Sequence, residues 1–374
     1  MKKHLNYHLL FLVTTLVVFG ILFLSTLSAP ISLKFFNNTN YYLMHQLYLL
    51  LAGVILAIVA YKVPLNYFKK FAPVLLLANF LLLVIVLLPG VGIKFWGAKR
   101  WINIGIGLFQ PSEILKITSI LYLSALVSNK LSENSKGGWI LAVKKGYHNI
   151  KYVFVPFIIF LVIISVLLAL QPDISTLGII GLTLVLMYFF AGTPIWNTVA
   201  IFLVALVGLF TLIKFEPYRL DRWLVFLHPN ADPLGSGWQM KQSLIAIGSG
   251  GFFGKGWGMS VQKFDFLPQA MSDSIFAILG EETGIIGCLF VVALFIYFLW
   301  LGVKIAKSSN NKFSQLSALG ITFWITIQAL LNIAANLSIV PLSGIPLPFF
   351  SYGGSHLITE LIGVGILLNI SKNG

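Results

Sequence analysis

Acidic side chains are scarce in this chain, arginine is scarcer, and a second cysteine is absent. Eleven Asp and Glu stand against 25 Lys and Arg over 374 residues, a formal charge of +14. The lone Cys288 excludes a disulfide within the chain and any cysteine metal site, and its apolar surroundings are those of a core side chain. Charged residues make up only 10% of the chain, too few to clothe a soluble domain. Hydrophobic residues make up 58%, and mean hydropathy is +0.93. These values describe a polytopic membrane protein. The positive charge therefore reads as contact with anionic lipid on one face and a phosphorylated ligand on the other, with no nucleic acid partner.

Apolar runs long enough to cross a hydrocarbon core as helices, about 20 residues each, fall near 9–27, 43–61, 71–89, 111–128, 152–170, 174–191, 195–213, 274–303, 315–335 and 351–370. The expected fold is thus all-α, a single domain over 1–374 with about ten transmembrane helices and a long loop, 214–271, before the eighth. Glu360 and neighbouring glycines interrupt the last run. The first run is longer than a signal-peptide core and is read as a retained span.

With the N-terminus inside, fourteen lysines fall in inner segments and ten basic residues in outer ones, which favours N-in, C-in. All three arginines, Arg100, Arg219 and Arg222, fall outside, where their planar forks suit phosphate. Pairing with Glu216, Asp221 and Asp232 in a structured loop is the alternative.

Four polar islands break the apolar pattern. The first, Trp96 to Lys116, joins a basic pair and two tryptophans to a Pro111-Ser112-Glu113 helix start. Glu113 reads equally as a helix-initiating carboxylate and as a functional one. Lys116, at i+3, either neutralises it or reaches a phosphate. The second is Gln171-Pro172-Asp173, where Asp173 either caps the next helix or faces a ligand. The third, 214–271, includes Gln239, Gln242 and the run GSGGFFGKGWG at 248–258. That run is not a phosphate-binding P-loop: no glycine stands at 249, no Ser or Thr follows Lys255, and no strand precedes it. Its glycines suit close backbone approach. The fourth, VPLSGIPLPFFSYGG at 340–354, has too many prolines and glycines for regular helix and suits an unwound element beside a membrane cavity.

Three carboxylates, Asp273, Glu281 and Glu282, enter the start of the eighth apolar run. Ionisable groups at that depth cost about 2.5 kcal/mol or more and mark functional sites by default.

The blocks GAKRWINIG and QPSEILK (97–116), QPDISTL (171–177), YRLDRWLVFLHP (218–229), GWQMKQSLIAIGSGGFFGKGWG (237–258), KFDFLPQAMSDSIFAILGEETG (263–284) and SGIPLPFFSYGGS (343–355), in this order, resemble the SEDS family of shape, elongation, division and sporulation proteins. The wording of 242–251 and 262–268 is closer to the division member than to the elongation member.

The resemblance implies a peptidoglycan glycosyltransferase at the outer face of the bacterial cytoplasmic membrane. It would polymerise lipid II and release undecaprenyl pyrophosphate. Asp273 matches the family aspartate and is expected to act as general base, its pKa raised by partial desolvation. Substrate contacts are expected at Arg100, Trp101, Glu113, Lys116, Asp173, Arg219, Arg222, Gln239, Gln242 and Lys263, with the cations facing the pyrophosphate. No cofactor is required by this reading, and Mg2+ or another divalent cation would be held partly by the substrate. A class B penicillin-binding protein transpeptidase, other division proteins and membrane lipids are the implied partners.

The chain departs from the family pattern at Gln269-Ala270-Met271-Ser272-Asp273, where Glu-x-His-Thr-Asp is common, and at His356, a usual serine position. Two other functions fit the same residues: a lipid II flippase and a non-catalytic division scaffold. Glu281 and Glu282 match the family's acidic pair, and a structural role fits them equally.

Overall fold

The computed structural model of the chain describes residues 5–95, 98–103, 105, 107–131, 150–193, 195–214, 223–228, 235–264 and 266–373. Its helices are α1 Tyr7–Phe36, α2 Tyr41–Lys62, α3 Leu65–Leu87, α4 Pro111–Leu131, α5 Val155–Leu170, α6 Ile174–Phe190, α7 Ile195–Lys214, α8 Ser236–Gly250, α9 Ile275–Lys307, α10 Lys312–Asn336 and α11 Gly354–Asn373. Among the described residues, α1, α2, α3, the segment Lys151–Leu170, α9, α10 and α11 are long and apolar enough to cross a membrane.

Local chemistry sets several ends. Asn6 accepts from the Leu9 N–H at 3.0 Å, and Asn311 accepts from the Ser314 N–H at 2.8 Å, each satisfying an orphan donor of a first turn. α11 runs unbroken through Glu360 and its glycines, unlike the interrupted span expected from the sequence. The glycines serve packing instead. A Cβ on Gly365 would lie 2.3 Å from the Ala57 carbonyl oxygen of α2. Asn369 donates to the carbonyls of Ala60 and Val63 at 3.0 and 2.6 Å. Close backbones joined by an amide are how helices adhere without a hydrophobic driving force between them. α10 and α11 are the most enclosed spans, while α2 turns most of its surface outward.

Two features depart from the expected layout, a sheet that breaks its all-α character and a helix inside its long loop. The first island and the residues just before it form a three-stranded antiparallel sheet of β1 Gly92–Phe95, β2 Ala98–Asn103 and β3 Leu108–Phe109. Ile93 pairs with Trp101 and Ile102 with Phe109, with a bulge between Ile93 and Lys94. Strands this short show too few alternations to be read from sequence. The second is α8, fifteen helical residues within the expected irregular loop. Its flanking glycines disguise a helix whose end packs on α9, where a Cβ on Gly250 would meet the Gly280 carbonyl oxygen at 2.0 Å.

Candidate active site

Asp273 lies in the turn-rich stretch between α8 and α9, one residue before the Ser274 cap. Two amides from α10 fix its backbone. Asn332 and Asn336 both donate to the Asp273 carbonyl at 2.8 Å. Asn332 also donates to the Ile345 carbonyl at 2.7 Å, tying this turn to the proline-rich segment. The half-buried carboxylate receives Ser272 Oγ at 3.2 Å and Gln239 Nε2 at 3.5 Å, and Gln239 bonds Ser274 Oγ at 3.0 Å. The structure thus brings Gln239, named from the sequence as a substrate contact, to Asp273. Gln242 is buried one turn further along α8.

A second group gathers around Asp173. It occupies the cap position of α6 but makes no side-chain cap bond, so the capping reading fails. Its carboxylate instead accepts from Ser112 Oγ at 3.0 Å and Gln110 Nε2 at 3.2 Å, and lies 3.7 Å from the Arg100 guanidinium. Arg100, on β2, also donates to the carbonyls of Gln171 and Pro172. The sheet therefore delivers its arginine to the Gln171-Pro172-Asp173 turn with the fork fixed and a quarter of the side chain still exposed. Trp101, next on β2, is half-buried.

One turn along α4, Lys116 donates to both oxygens of Glu113 at 2.8 Å and to Gln328 Oε1 at 3.0 Å, with both ions buried. Gln328 accepts from Trp324 Nε1 and donates to the Pro346 carbonyl and to Glu360 Oε1. Burying two charges is tolerable when they pair and their remaining hydrogen-bonding capacity is used, as here. The pair thus holds α4 to α10.

Lys263 goes elsewhere. It is buried, donates to the Gly258 carbonyl and lies 3.9 Å from Glu282. Glu281 accepts from Lys255 Nζ at 2.7 Å, from Ser260 Oγ, and from the N–H groups of Val261 and Gln262 at 3.3 Å. The 250–258 glycine run closes this latch. The Lys255 and Gly256 N–H groups donate to the Glu281 and Glu282 carbonyls, and the N–H groups of Ile285 and Ile286 donate back to Gly251 and Phe252. α9 breaks there, at Gly284 with φ 67°, where a Cβ would lie 2.5 Å from Gly254 N. Among the described contacts, Lys263 and the acidic pair form a structural joint separate from the Asp273 turn. Arg219 and Arg222 lie outside the described residues.

The groups converge on the irregular 340–353 segment. Ser175 donates to the Ser343 carbonyl, Asn332 to Ile345 and Gln328 to Pro346. Phe349 N–H donates to Glu360 Oε2 at 2.9 Å, and Ser351 Oγ bonds the Ser272 carbonyl. At Gly344, φ 65°, a Cβ would stand 3.8 Å from Asp273 Oδ2. One unwound strand thus touches the turn of Asp273, the helix that follows Asp173, and the network of Lys116. Sequence reasoning missed Gln110 and Ser112 as partners of Asp173. It also missed Gln328, Asn332 and Asn336, whose four-residue spacing within an apolar span was a readable polar stripe on one helix face.

The arrangement offers a half-buried carboxylate at Asp273 and, in the second group, a carbonyl-anchored arginine, groups that can accept a proton and hold an anion. Comparisons with known proteins bear on that chemistry. The FTSW_RODA_SPOVE family model, cell cycle protein, matches residues 7–374. A probable peptidoglycan glycosyltransferase FtsW of Trichlorobacter lovleyi is 36% identical over 363 residues, covering 97% of this chain and 92% of the relative. Stage V sporulation protein E of Bacillus subtilis is 37% identical over 365 residues, covering 97% and 96%. Among solved structures, one described as "Structural coordination of polymerization and crosslinking by a peptidoglycan synthase complex" aligns with TM-score 0.79 at 26% identity, over 98% of this chain and 97% of that one. The rod shape determining protein RodA of Thermus thermophilus shares the fold with TM-score 0.68 at 24% identity, over 98% and 96%.

Proposed function

The chain belongs to the FtsW, RodA and SpoVE family of cell cycle proteins, the SEDS family, with FtsW proteins among its similar relatives, and from that membership we propose how it works as a peptidoglycan glycosyltransferase in cell division. It joins disaccharide units of lipid II into β-1,4 glycan and releases undecaprenyl pyrophosphate. The acceptor is a sugar 4-hydroxyl that must lose a proton as it attacks. Asp273 takes that proton. The observation that carries this assignment is the double amide anchor on its backbone carbonyl, which fixes the turn and sets the half-buried carboxylate beside Gly344. Direct attack inverts the anomeric carbon, and because pyrophosphate leaves without a general acid, one carboxylate suffices where glycosidases pair two.

The leaving pyrophosphate needs positive charge more than a general acid. Arg100 supplies it from the edge of the site, with Trp101 beside it, and Asp173 positions the guanidinium. Arg219 and Arg222 add charge from the 214–271 loop. Gln239 orients Asp273 and, with Gln242, forms the α8 wall. Glu113 and Lys116 act from within the bundle, the lysine answering to charge that arrives at the strand above it. A divalent cation accompanying the pyrophosphate would be held partly by the substrate and would supply positive charge at the leaving group. The chain crosses the bacterial cytoplasmic membrane ten times, with both ends inside and the site facing outward. A class B penicillin-binding protein transpeptidase cross-links the product beside it.

The test is polymerisation of purified lipid II by the reconstituted chain and by Asp273→Asn, with the transpeptidase present. Glycan from the wild type, and none from a folded variant that still binds lipid II, is the expected result. Lipid II movement across the bilayer without polymer from either protein would replace this reading with a flippase.

A further inference from the structure

At the far end of α3 and α4 from the candidate active site lies a cavity of about 700 Å³ that nothing in the reaction uses. The two helices run antiparallel. α3 leaves through Leu87 toward the sheet bearing Arg100, and Asn79 on its later turns bonds the Pro111 carbonyl at the start of α4. A helix of 23 residues spans about 34 Å, so the first turn of α3 and the last turns of α4 meet on the opposite side of the bundle.

Asn66, Lys69 and Lys70 of α3 line the cavity with Tyr122, Leu126 and Asn129 of α4. Lys69 is half-buried, and Lys70 lies 5.7 Å from the Phe71 ring. Among the described residues, neither lysine pairs with a carboxylate. Of the chain's acidic residues, only Glu133 belongs to the expected inner segments, and it lies outside the described residues. Deeper in, the wall turns apolar: Leu126 follows Tyr122 by one turn, and the Tyr122 ring rests 5.0 Å from Phe160 of α5. Ammonium and amide donors at the mouth and an apolar floor match an amphiphile with a phosphate head. Basic pockets between helices at the inner leaflet suit anionic lipid.

We propose that this cavity binds the headgroup of an anionic phospholipid, with Lys69 and Lys70 on the phosphate, Asn66 and Asn129 on its ester or glycerol oxygens, and Tyr122 and Leu126 along the acyl chain.

The purified full chain in detergent is titrated with phosphatidylglycerol, with phosphatidylcholine and with inorganic phosphate, and bound lipid is read by native mass spectrometry. The wild type is expected to prefer phosphatidylglycerol by about tenfold or more, the order set by two lysines near an anionic head. Lys69→Ala/Lys70→Ala abolishes the preference. Leu126→Trp keeps both charges but fills the cavity, and lowers phosphatidylglycerol occupancy by a similar factor. These variants act by different means, so misfolding of one leaves the other as the test. Lys304→Ala/Lys307→Ala, at the end of α9, leaves the preference intact. No preference in the wild type, full preference in the folded cavity variants, or an equal loss in the α9 pair would overturn the proposal. Displacement of the lipid by equimolar inorganic phosphate would reassign the site to free phosphate and overturn the lipid assignment.

Discussion

Asp273 and Glu281 stand eight residues apart at the start of one helix, and the fold treats them in opposite ways. Glu281 is wholly buried, and its carboxylate is enclosed by a lysine, a hydroxyl and two backbone N–H groups. At Asp273 two amides hold the backbone carbonyl, and among the described contacts the half-buried carboxylate meets Ser272 and Gln239 at 3.2 and 3.5 Å. A carboxylate whose acceptor capacity is filled by short bonds is part of the frame. One whose backbone is fixed by two amides while the residue stays only partly buried is placed for work.

The sharpest way to break this contrast is to remove one charge at a time. Asp273→Asn should lower lipid II polymerisation by at least about 100-fold, the contribution expected of a general base, with thermal unfolding of the detergent-solubilised protein unchanged. Gly284→Ala should show the reverse pattern. A Cβ at φ 67°, 2.5 Å from two backbone atoms, costs upward of about 3 kcal/mol in stability when strain and overlap are combined, read as loss of folded protein or a depressed Tm. Glu281→Gln should cost about 1.5–3 kcal/mol, the worth of charge-assisted bonds to Lys255 and Ser260, while activity per folded molecule persists. The smallest effect belongs to Asn336→Ala. Asn332 still holds the Asp273 carbonyl there, so a stability loss of about 1 kcal/mol should accompany a kcat several-fold lower at unchanged KM. An Asn336→Ala chain that loses stability with unaltered kcat would show that the anchor is structural only.

The helical frame was legible because apolar runs of membrane length leave little choice of structure. Asp273 was legible as a carboxylate entering an apolar run, Arg100 as one of three outer arginines and Gln239 as a polar residue of the outer loop, and the structure pairs Gln239 with Asp273 and Arg100 with Asp173. The sheet was not, since β3 spans only Leu108–Phe109 and its register depends on partners from the same short island. Lys263 was misjudged for a different reason. A lysine in a glycine-rich outer loop looks available to a phosphate, and only the chain's return onto α9 at Gly254 and Gly284 sends it toward Glu282 instead. The polar stripe of α10 was visible at four-residue spacing, but what it served depended on which backbone carbonyls would face it.

That stripe also sets a length. Gln328 answers to Lys116, and Asn332 and Asn336 answer to Asp273. Eight residues of helix rise about 12 Å. α10 is therefore a ruler with its marks cut in amides, fixing how far the Asp273 turn stands above the buried ion pair. An insertion of one residue between Gln328 and Asn332 would turn the upper marks by about 100° against the lower one, so that the scale would no longer read the same depth at both ends.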